Sequence, residues 1–314
     1  MQSDSKIFVT GHRGLYGKAL CKRLKEKGYN NIVTVDRTEL DLTRQKDVEE
    51  WFTTHRPEYV FHLAAKTGGI GAGNGGTSII TNVQIDSNIL NCCRLFDVSK
   101  LFFPGSNCSY PMYPKLPITE DQIMTGHLEP SIEGYATAKI MTIKMCEQFN
   151  KQFNLDYVVA MPCNLYGPND KFDKASSHVM ASMISKFCIA KEQNDNLVTF
   201  WGDGSQLREF LYCDDAADAA IHLMNLQSSH KIFNIASGNE VTLKSLASTI
   251  KAIAKYEGAI SWDITKPIGT PKKGLDITKI KNTGWHASVT LEQGLSQTIE
   301  YFRKNVLQNW HNVS

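Results

Sequence analysis

The 314-residue sequence lacks long apolar runs and any large excess of charge. No stretch approaches the ~20 consecutive apolar residues that an α-helix needs to cross a bilayer. The first six residues are polar and lack the apolar core of a secretory signal. The formal net charge is only +2, which gives no reason to expect nucleic acid or an anionic membrane as a partner. We therefore expect a cytoplasmic protein without a membrane segment.

Cysteine and histidine patterns typical of metal sites are also missing. The eight cysteines include no Cys-x-x-Cys pair, which argues against zinc-ribbon and thioredoxin-like sites. The nine histidines are scattered without ligand spacing, so no metal centre is predicted. In a chain without a secretion signal, the cysteines are expected to stay reduced. Most of them are predicted to fill the core as small apolar residues.

Short β-branched apolar runs alternate with amphipathic segments through the first half of the chain. This alternation predicts an α/β fold, a doubly wound parallel sheet with helices on both faces. The expected strands are 6–10, 31–35, 59–64, 100–103 and 157–161, and the expected helices are 15–27, 48–55, 83–98 and 135–153. Beyond these segments the pattern loosens into loops rich in Gly, Asn, Asp and Ser. Helices there are predicted near 179–191, 216–226, 243–255 and 291–304, with a strand at 231–235.

A glycine-rich turn follows the first predicted strand and opens the first predicted helix. Gly11, Gly14 and Gly17 have the spacing G-x-x-G-x-x-G, and Leu15 begins the helix between them. Glycines at such a turn allow a pyrophosphate to approach backbone N–H groups at a helix N-terminus. The strand before and the helix after give this motif its specificity. We interpret residues 1–165 as an NADP-binding Rossmann domain and 166–314 as a smaller C-terminal substrate-binding lobe that shares some elements with it.

Charged residues near the second strand bear on the choice of cofactor. Asp36 ends that strand, where an acid favours the unphosphorylated ribose of NAD. Arg37 follows it and Arg13 lies within the glycine turn, and both guanidinium groups suit a 2′-phosphate. We predict NADP(H), with Asp41 and Leu42 near the adenine. Asp36 leaves NAD(H) as the alternative.

A phenol and an ammonium group lie four residues apart in Tyr135-Ala-Thr-Ala-Lys139, on one face of a predicted helix. A phenol with a pKa near ~10 transfers protons poorly at neutral pH unless a cation favours the phenolate. Ser106 follows the fourth strand, and its hydroxyl could polarise the same carbonyl. Alone, the Tyr–Lys pair could be an exposed helix face. In this order after a dinucleotide turn, the three residues predict acid–base chemistry at a carbonyl.

The sequence resembles the GDP-L-fucose synthases, which belong to the extended short-chain dehydrogenase/reductases. The shared motifs run through almost the whole chain, and several are distinctive of these synthases rather than of the superfamily. The matching segments are 11–17, 64–70, 105–111, 128–130, 135–140, 161–168, 177–179, 201–204, 208–211, 266–273 and 284–285. The resemblance implies NADPH-dependent 3,5-epimerisation and 4-reduction of GDP-4-keto-6-deoxy-D-mannose to GDP-L-fucose. It also implies a homodimer that pairs through helices, with Glu147 and its neighbours as candidates.

The resemblance assigns roles to individual residues. Ser106, Tyr135 and Lys139 would be the reductase triad, and Cys108 and His178 would be the epimerase base and acid. Inversion beside a ketone needs a proton removed from one face and returned to the other, and a thiolate and an imidazole both transfer protons near neutral pH. Without the resemblance, Cys108 would be interpreted as a core thiol and His178 as a loop histidine.

The resemblance also implies binding residues. Besides the glycine turn, the cofactor would be contacted by Ala64, Ala65, Lys139 and His178. The GDP-sugar would be held by Asn164, Lys186, Trp201, Arg208 and Lys273.

Three features depart from the family pattern. Lys186 stands where arginine is usual, so the planar fork that binds a phosphate bidentately is missing. Cys163 stands where threonine is usual. The glycine-rich segment 71–76 is expected to form a loop near the active site rather than a second phosphate cradle.

Two alternatives remain open from the sequence. The first is a related nucleotide-sugar 4-keto reductase or epimerase with another sugar, because few pocket side chains read the 3-position. The second is a non-catalytic NADPH-binding sensor, although that would not need the whole acid–base set. A 4,6-dehydratase is disfavoured because Asn107-Cys108 stands where an Asp-Glu pair would be expected.

Overall fold

The strands and helices come from a computed structural model that describes residues 1–67, 76–173, 177–266 and 270–308. Segment 71–75 of the predicted glycine-rich loop lies outside the described residues. The strands in the described ranges are β1 (Ile7–Thr10), β2 (Ile32–Val33), β3 (Tyr59–His62), β4 (Lys100–Pro104), β5 (Tyr157–Pro162), β6 (Asn164–Tyr166), β7 (Leu197–Trp201), β8 (Leu207–Tyr212), β9 (Ile232–Ile235), β10 (Glu240–Thr242) and β11 (Ala259–Asp263).

The α-helices of the same ranges are α1 (Leu15–Glu26), α2 (Gln45–His55), α3 (Gly76–Leu95), α4 (Glu133–Phe153), α5 (Val179–Gln193), α6 (Cys213–Asn225), α7 (Leu243–Ala254), α8 (Thr278–Lys281) and α9 (Leu291–Asn305). None of the helices in the described ranges is long and apolar enough to cross a membrane.

The main sheet has the strand order β2-β1-β3-β4-β5-β9, and all its neighbours are parallel. Its central strands are buried on both faces, as the β-branched runs predict; every residue of β5 is buried. The predicted doubly wound Rossmann fold is therefore confirmed. After β1 the chain adds β2 on one side and β3 on the other, so the order reverses at β1. A crevice for a ligand is expected at the carboxyl ends of β1 and β3.

Two smaller sheets lie in the second half of the chain. One has the order β10-β8-β6 and the other pairs β11 with β7. The sequence pattern predicted no strand at β6, β8, β10 or β11. Strands β6 and β10 have only three residues each. Such short strands leave no detectable alternation. Strand β9, from the second half, completes the edge of the main sheet beside β5.

Helix α3 begins at Gly76, seven residues before the predicted start at 83. The first two turns of α3 are rich in polar residues, a composition that is typical of a loop. Ser78 and Asn82 are nevertheless buried. The Asn82 side chain accepts a hydrogen bond from Lys66 N at 2.7 Å and donates one to Lys66 O at 3.1 Å. These bonds tie the start of α3 to the segment that follows β3.

Candidate active site

The glycine turn fits the pyrophosphate of a dinucleotide. Gly11 has φ +68°, and a Cβ there would stand 2.7 Å from Ala64 N. A Cβ on Gly17 would overlap the carbonyl oxygen of Gly11. Gly14 is the N-cap of α1 and makes no side-chain capping hydrogen bond. The N–H groups of the first turn, which starts at Leu15, are therefore available to bind an anion. The turn thus has the space and the donors that a pyrophosphate needs.

An ion pair stands where the cofactor's adenosine ribose is expected. The Arg13 guanidinium pairs with the Asp36 carboxylate, and His12 Nε2 lies 3.3 Å from Asp36 Oδ1. The Arg13 side chain is 74% exposed, and Arg37 is exposed as well. Of the three charged residues that the sequence connects with the choice of cofactor, the structure therefore pairs two, Arg13 and Asp36.

The neighbouring predicted cofactor residues have structural anchors. Asp41 Oδ1 accepts hydrogen bonds from Thr43 N at 3.0 Å and Thr43 Oγ1 at 2.8 Å, and these bonds lower the pKa of Asp41. The Leu42 carbonyl accepts a hydrogen bond from Asn88 Nδ2 at 2.9 Å. Ala64, which precedes Ala65 after β3, donates its N–H to Thr10 Oγ1 at 3.1 Å. These residues remain predictions as cofactor contacts.

Ser106 and Cys108 share one short turn after β4. Gly105 N donates to Ala160 O at 2.8 Å and so continues the strand pairing for one residue. Ser106 then caps the 3₁₀ turn Asn107–Ser109, and its Oγ accepts a hydrogen bond from Cys108 N at 3.2 Å. The spacing Ser-x-Cys therefore places a hydroxyl and a thiol side by side at the carboxyl end of the sheet.

Tyr135 and Lys139 lie one turn apart in α4, beside that turn. Lys139 Nζ donates to Pro104 O at 3.0 Å and lies 5.9 Å from the centre of the Tyr135 ring. Burial lowers the pKa of Lys139, and the Asp86 carboxylate opposes this change. Burial raises the pKa of Tyr135, and Cys108 and Asp86 raise it further. The predicted triad and the predicted epimerase thiol thus belong to one electrostatic group.

Glu129 is a candidate site residue that the sequence reasoning did not single out. Its Oε2 lies 3.5 Å from Lys273 Nζ, and its charge raises the pKa of Arg208, which burial lowers. Burial raises the pKa of Cys108; the Ser106 hydrogen bond and Lys273 lower it, and Glu129 raises it. In the sequence, the only signal for Glu129 as a site residue is its position in the motif 128–130, which is shared with the GDP-L-fucose synthases.

His178 stands at a different element from the Cys108 turn. It is the N-cap of α5, and Ser177 separates it from the undescribed residues 174–176. The surrounding protein desolvates the ring and lowers its pKa, and the nearby Lys171 ammonium lowers it further. Lys171 Nζ donates to Thr67 O at 3.2 Å, beyond the end of β3. Among the described residues, no hydrogen bond joins His178 to Cys108.

The predicted substrate residues fall into two groups. Asn164 Nδ2 donates to Glu209 O at 3.0 Å, which places it against β8 beside Arg208. Lys186 Nζ donates to Thr199 O at 2.9 Å, in β7. Trp201 ends β7 with 65% of its surface exposed. Arg208 and Lys273 therefore belong with Glu129. Lys186 and Trp201 are both associated with β7, Lys186 with its middle and Trp201 at its end.

The parallel sheet and the glycine turn are those of the extended short-chain dehydrogenase/reductases, and the predicted set of Ser106, Tyr135 and Lys139 is consistent with them. The sequence profile of the NAD dependent epimerase/dehydratase family matches residues 7–236, and the chain belongs to this family.

Individual proteins similar to this chain indicate a narrower group within the family. The chain is 45% identical to a protein named putative GDP-L-fucose synthase 2 of Arabidopsis thaliana, over 98% of this chain and 94% of that one. It is 40% identical to the GDP-L-fucose synthase of Escherichia coli (strain K12), over 96% of this chain and 98% of that one. A solved structure of a GDP-L-fucose synthetase from Naegleria fowleri bound to NADP has a TM-score of 0.89 and 30% identity, covering 99% of this chain and 95% of that one. The resemblance indicated by the motifs is confirmed.

Proposed function

We propose that the chain is a bifunctional enzyme that converts GDP-4-keto-6-deoxy-D-mannose to GDP-L-fucose. The reaction is a 3,5-epimerisation followed by NADPH-dependent reduction at carbon-4. The observation that carries the proposal is the turn from Ser106 to Cys108, packed against Lys139 through Pro104. One site then holds both a base for proton exchange and a set of groups for carbonyl reduction.

NADPH would supply a hydride to carbon-4 when bound. The pyrophosphate would lie on the glycine turn at α1, where no side chain obstructs the backbone. Arg13 and Arg37 would bind the 2′-phosphate. The remaining cofactor contacts in this proposal are Asp41, Leu42, Ala64, Ala65, Lys139 and His178.

Epimerisation begins when Cys108 removes a proton from a carbon beside the 4-keto group. The C–H electron pair moves into the enolate, and the charge on its oxygen faces the hydroxyls of Ser106 and Tyr135. His178 returns a proton to the opposite face, so the carbon is inverted without net oxidation. Lys273 favours the thiolate because its ammonium lowers the pKa of Cys108 against the effect of burial.

Reduction uses the same carbonyl oxygen. Tyr135 donates its proton to that oxygen while Ser106 holds it by a hydrogen bond. The resulting phenolate is stabilised by the Lys139 ammonium, which its bond to Pro104 O orients.

The GDP-sugar would lie between the two groups of substrate residues. Arg208 and Lys273 would face the diphosphate, with Lys186 as a point charge and Trp201 as an exposed aromatic surface. Asn164, fixed by its bond to β8, would contact the sugar. In this proposal residues 1–165 bind the cofactor and 166–314 supply most of the substrate contacts.

We further propose a cytoplasmic homodimer that pairs through α3 and α4. These two helices carry large apolar side chains exposed to solvent, namely Ile80, Leu95, Met141 and Phe153. Exposed apolar groups concentrated on adjacent helices are typical of a protein–protein interface. Glu147, in α4, pairs with Lys144 at 2.8 Å and would flank this surface. Light scattering after size exclusion tests the dimer, and Met141→Glu should give a monomer.

The activity is tested by incubating the pure protein with NADPH and GDP-4-keto-6-deoxy-D-mannose in heavy water. The expected product is GDP-L-fucose with deuterium at carbons 3 and 5, identified by NMR. Reduction without deuterium would indicate a plain 4-keto reductase. NADPH binding without oxidation would indicate a sensor protein.

A further inference from the structure

A buried chain of polar groups lies behind Lys139 and has no place in the reaction described above. Asp86, in α3, is fully buried. Its carboxylate lies 2.9 Å from His62 Nε2 and 2.6 Å from Thr142 Oγ1. The other ring nitrogen of His62 lies 2.8 Å from Thr10 Oγ1. The chain thus runs from the end of β1, through β3 and α3, to the catalytic helix α4.

The directions of these hydrogen bonds follow from their donors. Thr10 Oγ1 accepts the N–H of Ala64, so its own proton is free to point at His62 Nδ1. His62 Nε2 then carries the ring proton and donates it to Asp86. Thr142 Oγ1 lies 2.6 Å from Asp86 Oδ2 and 3.1 Å from the Ala138 carbonyl oxygen, and we assign its single proton to the shorter contact, with Asp86. Asp86 accepts two hydrogen bonds, which is the pattern of an ionised carboxylate.

An ionised carboxylate in the core needs a counter-charge, because its burial alone is costly. Lys139 is buried as well, with 3% of its surface exposed, and lies one helical turn before Thr142. Thr142 therefore fixes the carboxylate against the helix that carries the ammonium. Among the described residues no ion pair joins Asp86 to Lys139, so the carboxylate favours the buried ammonium by a longer-range electrostatic interaction.

We propose that Asp86 is a positioning residue that keeps Lys139 cationic and thereby sets the pH range of the 4-reduction. This inference rests on the proposed reductase function. It gives a role to a carboxylate that touches neither the substrate nor the cofactor.

The titratable groups facing Asp86 come from two elements besides its own. His62 faces it from β3; Tyr135, Lys139 and Cys146 face it from α4. Burial lowers the pKa of Lys139, and the Asp86 carboxylate raises it. It also adds to the effect of burial in raising the pKa of Tyr135.

Asp86→Asn removes the charge and keeps the shape. His62 can accommodate the amide by moving its proton to Nδ1, where Thr10 Oγ1 accepts it. Without the carboxylate, the pKa values of Lys139 and Tyr135 both fall, so both groups lose their protons at lower pH. Reduction needs both protonated. The alkaline limb of its pH profile should therefore move to lower pH by about one unit.

The experiment measures kcat/KM for NADPH oxidation by the full chain across roughly pH 6 to 10. The matched control is Thr142→Val, which removes one hydrogen bond and keeps the carboxylate. The His62 bond still holds Asp86 in place, so the alkaline limb of this variant should not move. Asp86→Glu should likewise keep the wild-type limb. The pH profile of deuterium wash-in should be unchanged in Asp86→Asn, because that reaction uses Cys108.

The inference is overturned if the alkaline limb of Asp86→Asn superimposes on that of the wild type. It is also overturned if the alkaline limb of Thr142→Val shifts as far as that of Asp86→Asn. Should Asp86→Asn fail to fold, Asp86→Gln provides the same neutral amide for the comparison. If the wild-type chain oxidises no NADPH with the keto sugar, the proposed function itself is wrong. A wild type that reduces the sugar, with no shift in the neutral variants, refutes only the role of Asp86.

Discussion

Arg13 and Asp36 form an ion pair between the glycine turn and the residues that follow β2. His12 also approaches the same carboxylate, at 3.3 Å. A 2′-phosphate bound by Arg13 must therefore compete with Asp36 for the guanidinium. An unphosphorylated ribose could instead donate its 2′-hydroxyl to Asp36 and leave the ion pair intact. This one pair thus bears on the choice between the two cofactors.

Asp36→Asn should increase the preference for NADPH over NADH. The variant frees the Arg13 guanidinium to bind the 2′-phosphate. It also removes the Asp36 carboxylate, whose negative charge repels that phosphate. Exposed ion pairs contribute about 0.2–1 kcal/mol, so the ratio of the two dissociation constants should change roughly 1.4- to fivefold. Fluorescence titration with each cofactor measures this ratio. An unchanged ratio would mean that Asp36 does not face the ribose.

Arg37→Ala should weaken NADPH binding by about 1.5–3 kcal/mol, the usual scale of charged hydrogen bonds, and affect NADH little. Arg37 is exposed, so the effect should shrink at high salt. Isothermal titration at two salt concentrations provides the measurement. A wild type that binds NADH as tightly as NADPH would contradict the assignment of NADP(H).

Sequence patterns predicted the parts of the fold whose burial is local and regular. Strand β5 and helix α4 lie within a residue or two of their predicted bounds, because their apolar spacing reflects the core directly. The start of α3 was missed because Asn82 is buried by hydrogen bonds to a distant backbone segment rather than by apolar contact. Periodicity carries no signal for such a tertiary bond.

The candidate site shows the same division. Ser106 and Cys108 are neighbours in one turn, so their proximity follows from spacing alone. Glu129 and Lys273 are separated by 144 positions, and only the folded chain brings their charges to 3.5 Å. The motif containing Glu129 was recognised, but its role as a counter-charge could not be derived from the sequence.

Glu129 and Lys273 should shift the epimerase base in opposite directions. Cys108 removes protons as a thiolate, and burial raises its pKa, so deuterium wash-in should increase with pH through the neutral range. Lys273 lowers this pKa and Glu129 raises it. Lys273→Met should therefore move the rise to higher pH, and Glu129→Gln should move it to lower pH.

These two variants are compared at saturating keto sugar, so that changes in diphosphate binding do not enter the rate. NMR detection of deuterium at carbons 3 and 5 gives the pH profile. Shifts in the same direction for both variants would show that the two charges act on substrate binding and not on the Cys108 thiol.

The two half-reactions should separate by mutation, because they use different residues of one site. Tyr135→Phe keeps the ring in α4 and removes the proton given to the carbonyl oxygen. Loss of a positioned acid costs about 10²–10⁴ in rate, so NADPH oxidation should nearly stop. Deuterium should still enter carbons 3 and 5, since Cys108 and His178 remain. Wash-in that stops together with reduction would show that Tyr135 is also needed to form the enolate.

Cys108→Ala should show the converse behaviour. Deuterium wash-in should be lost while slow NADPH oxidation continues, giving a sugar reduced at carbon-4 without inversion at one or both neighbouring carbons. Cys108→Ser, the isosteric control, should do little better because a hydroxyl is too weakly acidic to serve as the base unaided. The turn with Ser106 is held by the backbone N–H of Cys108, so both variants keep it, and the serine side chain fills most of the space of the thiol. Cys108→Ser therefore separates a packing defect from loss of the thiolate. Wild-type exchange in Cys108→Ala would make Cys108 a packing residue and would require another base for the epimerisation.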